Sequence, residues 1–378
     1  MNEEAAVVMG FFTFRVFLVG AIMVAFPRIA RKGLLFGTYL GEEQAAGPAR
    51  RRLLRTWDMG TALIMLVALI VGWSIGFSGR WIPGNFIGTA VLVTPFVPLY
   101  FWMHGKVRGL APAVAMEPAG RSAASLQVDE GHGGGFALFA LVVCLVASTT
   151  LIGYAIVSFR TMPGRIPTLA NLWGYGDALT EKSLVSVVLI PAYNLVFAPF
   201  FAVMGLLVAQ SKRSIRGGSE GGSTRAQDTF RVAVSHIFAA AGLFLCLFLA
   251  VASIDMIWIW QGRAESLSGI AIGGAAVATI LVLGGGLFRI MWLGQGGARL
   301  ETGSPDAPLT GGLADNARWI LGVLYVDRTD PAIMVEARWG IGYTMNLGNR
   351  VAQVLLTVFA AALLGLALLT LAEIGVFA

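Results

Sequence analysis

The stretch DNARWILGVLYVDRTDPAIMVEARWGIGYTMN, residues 315–346, is the one long polar-flanked segment of this chain that reads as folded. It alternates apolar and polar residues, carries Trp319, Tyr325, Trp339 and Tyr343, and ends where the last apolar run begins. Trp319–Val326 and Ala332–Arg338 are short β-prone runs joined by Asp327-Arg328-Thr329-Asp330-Pro331, a turn composition. Gly340 and Gly342 permit backbone angles that other residues avoid. The expectation is a small β-hairpin-like cap whose aromatics pack on helix ends. It has two readings: a structural plug that orders the last two spans, or a docking site for a cytoplasmic protein partner.

Working outward, nearly everything else is apolar run or Gly/Ser/Arg-rich linker. Hydrophobic residues make up 57% of the chain, charged residues 13%, and the mean hydropathy is +0.76. A soluble protein of 378 residues could not hide that much apolar surface. The expected fold class is therefore an all-α polytopic membrane protein of about eight transmembrane helices, with a small cytoplasmic β-containing cap before the last helix. Each helix needs about 20 apolar residues to cross about 30 Å of hydrocarbon.

The runs fall at about 5–26, 59–77, 86–104, 136–159, 184–210, 232–258, 270–293 and 352–376. The start is acidic and the first run long, so it reads as a retained span and not a signal peptide. This divides the chain into four spans with basic loops (1–159), a loop with a fifth helix broken by Pro191 and Pro199 (160–210), a basic Gly/Ser linker (211–231), spans six and seven (232–293), the cap segment (294–350) and a last span (351–378). Prolines at 95 and 98 are expected to kink the third span.

Of the 27 lysines and arginines, 20 fall in residues 28–58, 106–134, 211–231 and 294–350. Basic residues stay in the cytoplasm, which places those loops and the cap inside, and both termini outside. Clustering in alternate loops makes the positive charge a matter of membrane topology, so no nucleic acid is expected as a partner. Cys144 and Cys246 lie inside apolar runs and read as small hydrophobes.

A charge at mid-bilayer costs several kcal/mol unless paired or hydrated. Arg15 sits near the middle of the first span. Its expected partners are Tyr193 and Asn194, beside Pro191 in the fifth span, or Asp255. This is either a hydrogen-bond lock between helices or part of a conduction or binding path. Asp255 and Glu373 lie near outer ends, while Arg289, His104 and His236 lie near inner ends. Gly269, Gly273, Ala361 and Gly365 form small-xxx-small faces, read as close packing of the last two spans or as a homo-oligomer contact. There is no phosphate loop, HExxH, CxxC pair or nucleophile elbow, and the acids are scattered. Neither an enzyme nor a cofactor or metal is expected.

Two segments resemble known families. RIPTLANLWGYGDALTEK, residues 165–182, resembles the DUF1648 pattern through Ile166, Pro167, Asn171, Gly174, Asp177 and Lys182, with Leu169 where the pattern has His. Its Trp173 and Tyr175 offer apolar faces beside Asp177, suited to an amphipathic extracellular peptide or a lipid headgroup, or simply to interfacial anchoring. Residues 315–346 resemble the DUF5808 pattern through Trp319, Gly322, Tyr325, Asp330, Pro331, Val335, Arg338, Gly340, Gly342 and Asn346. The Phe36-Gly37 step also resembles these families. The resemblance implies a distantly SdpI-like protein of the bacterial inner membrane, giving immunity to a peptide toxin and signalling its presence. Three functions follow as expectations: such a sensor or immunity protein, a small transporter or channel, or a structural subunit of a membrane complex.

Overall fold

The computed structural model describes residues 3–31, 33–41, 47–111, 134–167, 179–211, 220–264, 269–300 and 316–373. Helices α1 (Glu3–Ile29), α2 (Pro48–Phe77), α3 (Trp81–Val93), α4 (Phe96–Arg108), α5 (Gly134–Ser158), α6 (Leu184–Ala209), α7 (Glu220–Trp260), α8 (Gly269–Leu293) and α9 (Arg350–Glu373) carry the chain back and forth. Eight spans among them are long and apolar enough to cross a membrane, α3 and α4 together forming one. The chain is a multi-pass membrane protein. Large apolar side chains such as Phe14, Leu63, Leu138, Leu281 and Val358 are exposed on the helices, as lipid-facing residues must be.

Four two-residue or three-residue antiparallel hairpins punctuate the helices: β1 (Leu34–Leu35) with β2 (Thr38–Tyr39), β3 (Arg165–Pro167) with β4 (Leu179–Glu181), β5 (Trp319–Ile320) with β6 (Leu324–Tyr325), and β7 (Met334–Glu336) with β8 (Tyr343–Met345). The expected single hairpin of Trp319–Val326 against Ala332–Arg338 is not what forms. The first run folds on itself around Leu321 and Gly322, both at positive φ. The second pairs with Tyr343–Met345 instead. For the first, a three-residue connection closes at less entropic cost than the five-residue one would. β7 and β8 are joined by the six residues 337–342, and their pairing follows from packing of Met334, Tyr343 and Met345 on the second helix set.

Helix packing of any extent runs within two sets, α1–α4 and α5–α9. In the first, Phe12 is wedged against Gly72 and Gly88, and Gly84 lies on the backbone of Gly72, so α1, α2 and α3 approach closely. In the second, α6 is gripped by α5 and α7, with Gly205 and Gly242 at the α6–α7 contact.

Several expectations need correction here. Helix α6 is not broken: it runs unbroken through Pro191 and Pro199. Its neighbours bury both prolines, which holds the helix path despite the lost backbone bonds. The kink expected at Pro95 in the third span does occur, between α3 and α4. Residues 220–231 are helix and not linker, the start of a 41-residue α7. That length is about 60 Å, twice the hydrocarbon thickness, so its first turns stand clear of the bilayer core. Finally, α8 packs on α7 and α9 packs on α6, and Gly273 and Gly365 face open space. Among the described residues, the last two spans do not pack extensively on each other; each packs on a neighbour within the second set.

Candidate functional site

The residues 316–349 form a compact cap at one end of the bundle, where it meets both helix sets. Local chemistry shapes it first. Asp327 accepts from the Thr329 amide at 2.8 Å and hydroxyl at 2.6 Å, and Asp330 accepts from the Ala332 amide at 3.0 Å. These are side-chain-to-backbone turns of the kind Asp favours. Asn346 is fully buried and closes the loop: its Nδ2 reaches the carbonyls of Asp327, Asp330 and Ala332, and its Oδ1 accepts from the amides of Asp327 and Gly348. The buried Tyr325 hydroxyl donates to Asp330 Oδ2 at 3.0 Å, and Arg318 pairs with Asp327. Pro331 is exposed, its carbonyl taken by Asn349 at 2.9 Å.

Protonation follows from these contacts. Burial pushes the Asp327 carboxyl up, but the Thr329 hydroxyl and amide, with the Arg318 guanidinium, outweigh it and hold the group below the usual carboxylate value. Burial raises the Tyr325 and Tyr343 phenols well above their usual range, so both remain neutral donors.

The cap is then bolted to each helix set. Toward α1–α4, Trp339 lies among Phe26, Phe36, Trp57 and Tyr100, with ring centroids 6.0, 5.5, 5.5 and 4.6 Å away. Gly340 lets the backbone pass Phe26. The tips of the β1–β2 and β5–β6 hairpins meet backbone to backbone at Gly37 and Gly322. Both glycines are at positive φ, and a Cβ on either would strike the other's main chain. The Tyr100 hydroxyl lies 3.1 Å from the Leu321 carbonyl and 3.4 Å from that of Phe36, bridging the two tips. Arg338 donates to Asn316 Oδ1 at 2.7 Å and lies over the Trp319 ring, while Asn316 ladders onto Tyr39.

Toward α5–α9, Met334, Ile341, Tyr343 and Met345 pack on Val208, Phe230, Val234, Ile290 and Leu293. Gln295, just past α8, accepts from the Gly342 amide at 2.8 Å and donates to the Gly342 and Ala337 carbonyls. One group reaches both sets at once. Glu336 binds Arg31, which follows α1, at 2.8 Å, and Gln227 of α7 at 3.2 Å. Arg31 also donates to the Gly296 carbonyl at 3.0 Å.

The intramembrane polar residues are dispersed. Arg15 reaches Asn85 Oδ1 and, at 2.6 Å, Thr89 Oγ1 on α3. It does not meet Tyr193, Asn194 or Asp255, which belong to the other helix set. Tyr193 bonds Thr370 at 2.8 Å, Asn194 donates to the Cys246 carbonyl at 3.2 Å, and Asp255 is buried in α7. The i, i+4 spacing of Asn85 and Thr89 was the available sign of Arg15's partner.

At the opposite end, β3 and β4 form the base of the 160–182 loop. Trp260 donates to the Pro167 carbonyl at 3.1 Å, and Lys182 donates to the carbonyls of Phe159 and Met162. Ser183 caps α6 and donates to Glu373 at 2.5 Å. Asn171, Trp173, Gly174, Tyr175 and Asp177 lie outside the described residues. Sequence reasoning passed over Arg31, Glu336, Gln227, Gln295 and Asn316. Glu336 had the local signal of a polar residue directly after Met334 and Val335; Gln227 and Asn316 stand in polar surroundings and had no such signal. Among the described residues, no group of His, Cys, Asp and Glu could hold a metal.

The model of DUF5808, a family of unknown function, matches residues 328–353. The match covers the turn after β6, the β7–β8 hairpin and the first turn of α9, and does not extend to Trp319, Gly322 and Tyr325 or to residues 165–182. No curated protein and no solved structure matches the chain.

Proposed function

We propose that this is a non-enzymatic sensor or immunity protein of the bacterial inner membrane, which meets an extracellular peptide or envelope ligand at residues 160–182 and relays its presence to a cytoplasmic partner through the cap. The supporting observation is mechanical. Among the described residues, the base of the 160–182 loop is tied to the second helix set: Lys182 to the carbonyls just past α5, Met162 and Ile166 against α6 and α7, Trp260 to Pro167, and Ser183 to Glu373 of α9. Among the described residues the two helix sets share no extensive packing, and the cap, with the Arg31–Gly296 bond beside it, joins them. A ligand that displaces the second set therefore loads the cap. The excess of Lys and Arg at the cap end supports its placement inside. The same two-set arrangement supports an alternative, a small transporter whose sets rock about the cap.

The test is survival of bacteria with and without the protein against a panel of membrane-active peptide toxins, with Trp173→Ala and Glu336→Gln forms at matched expression. Protection that both variants abolish supports sensing outside and relay through the cap. No protection against any toxin, together with substrate flux in liposomes, overturns it in favour of transport.

A further inference from the structure

The cap and α9 enclose a cleft of about 490 Å³ lined by Arg328, Asp330, Pro331, Gly348, Asn349, Arg350 and Gln353. Its first and last lining residues, Arg328 and Gln353, are the ends of the matched segment. The side chains divide into committed and uncommitted groups. Asp330 is buried and turned into the cap, with both carboxylate oxygens taken by the Ala332 amide and the Tyr325 hydroxyl. Asn349 caps α9 through Oδ1 and holds the Pro331 carbonyl through Nδ2. Gln353 donates to the Leu347 carbonyl. The helix start is thus already capped by its own side chain and supplies no open site.

That leaves Arg328 and Arg350, both exposed and neither in an ion pair among the described residues. Both guanidiniums line the same cleft, so an anion held there would meet positive charge from two side chains. Their planar forks suit an acceptor with several oxygens on one centre. Position supplies the rest. Arg350 is the first residue of a helix long and apolar enough to cross a membrane, so the cleft lies at the end of that span, where a headgroup would sit. Below it, Val351, Val354 and Val358 stand exposed on α9, an apolar track for an acyl chain.

We infer that this cleft is a phosphate site, held by Arg328 and Arg350, whose occupant is the headgroup of an anionic phospholipid. The inference is independent of the sensor reading and would hold equally for a transporter. The guanidiniums bind the phosphate oxygens, the acyl chain lies along the valines of α9, and the lipid braces the cap against the last span.

The test is thermal unfolding of the purified full chain in a neutral detergent. It is titrated separately with phosphatidylglycerol, phosphatidylcholine and inorganic phosphate, for the wild type, Arg328→Gln, Arg350→Gln, the double variant, and an Arg51→Gln/Arg52→Gln control at the same end of the bundle. Both target arginines are exposed, so the variants should unfold like wild type before lipid is added. The expected result is stabilisation by phosphatidylglycerol and not by phosphatidylcholine. Half-saturation should rise about tenfold in the double variant, less in each single, and little in the control. Stabilisation by inorganic phosphate with the same arginine dependence, and no advantage for phosphatidylglycerol, would keep the phosphate site and overturn the lipid as occupant. Equal loss in the control, or no loss in the double variant, overturns the site itself.

Discussion

Arg31 and Glu336, 2.8 Å apart with both side chains shut away from solvent, join the end of the first span to the cap that precedes the last. A buried pair is held by its own geometry and by the groups that finish its hydrogen bonding, here Gln227 and the Gly296 carbonyl. Removing one partner strands a charge. Glu336→Met and Arg31→Met should each lower stability by about 3–5 kcal/mol, and the double Arg31→Met/Glu336→Met should recover much of the loss. Thermal unfolding in detergent across the four proteins reads this directly. Additive losses would mean the pair is not coupled.

Trp339 is the aromatic centre of the joint with α1–α4. Trp339→Ala removes four ring contacts and should cost about 3 kcal/mol, with Trp339→Phe losing less. Limited proteolysis should then cut within 316–349 well before the helices. A cap as resistant as wild type would show that Trp339 is peripheral to it.

The hairpin tips discriminate between two costs of replacing glycine. Gly37→Ala incurs both a left-handed backbone penalty and a collision with the Gly322 main chain and the Tyr100 hydroxyl, together roughly 3 kcal/mol or more. Gly41 has φ +82°, yet among the described residues nothing lies within 4 Å of an added Cβ. Gly41→Ala should therefore cost only about 1–2 kcal/mol. Equal losses would argue against the backbone contact at Gly37.

Acid should loosen the cap. Asp327 is held below the usual carboxylate value in the folded chain, so its contribution is complete above the unfolded value of about 3.9 and is lost as pH falls through the folded one. Tryptophan fluorescence from the Trp319 and Trp339 region, followed from pH 7 downward, should change below about pH 4. Asp327→Asn should be less stable at neutral pH and flatter through that acid range. An unchanged profile would remove Asp327 from the account.

Orientation can be read with single cysteines, because Cys144 and Cys246 are buried. A membrane-impermeant maleimide should label Arg263→Cys in intact cells, and Arg51→Cys only after permeabilisation. The reverse pattern would place the cap outside.

The eight spans were legible because each is a long apolar run, and a backbone in hydrocarbon has no choice but helix. The cap was legible as a folded unit from its aromatics, its Asp-Pro turn and its glycines. Its strand pairing was not, since Trp319–Val326 is β-prone whichever partner it takes. Residues 220–231 read as linker because Gly221, Gly222 and Ser223 are poor helix formers. Packing of Phe230 on Tyr343 and the Gln227–Glu336 bond override that propensity.

By itself, then, the amino-acid sequence determined the class, the number of spans and the asymmetry of basic charge, all of which depend on local hydropathy summed along the chain. Only the tertiary structure decided that the helices divide into two sets, that Arg15 answers to Asn85 and Thr89, and that Glu336 joins Arg31 to Gln227. These are contacts between residues tens to hundreds of positions apart. They are chosen by which surfaces fit and which buried polar groups find partners, and no local pattern encodes that choice.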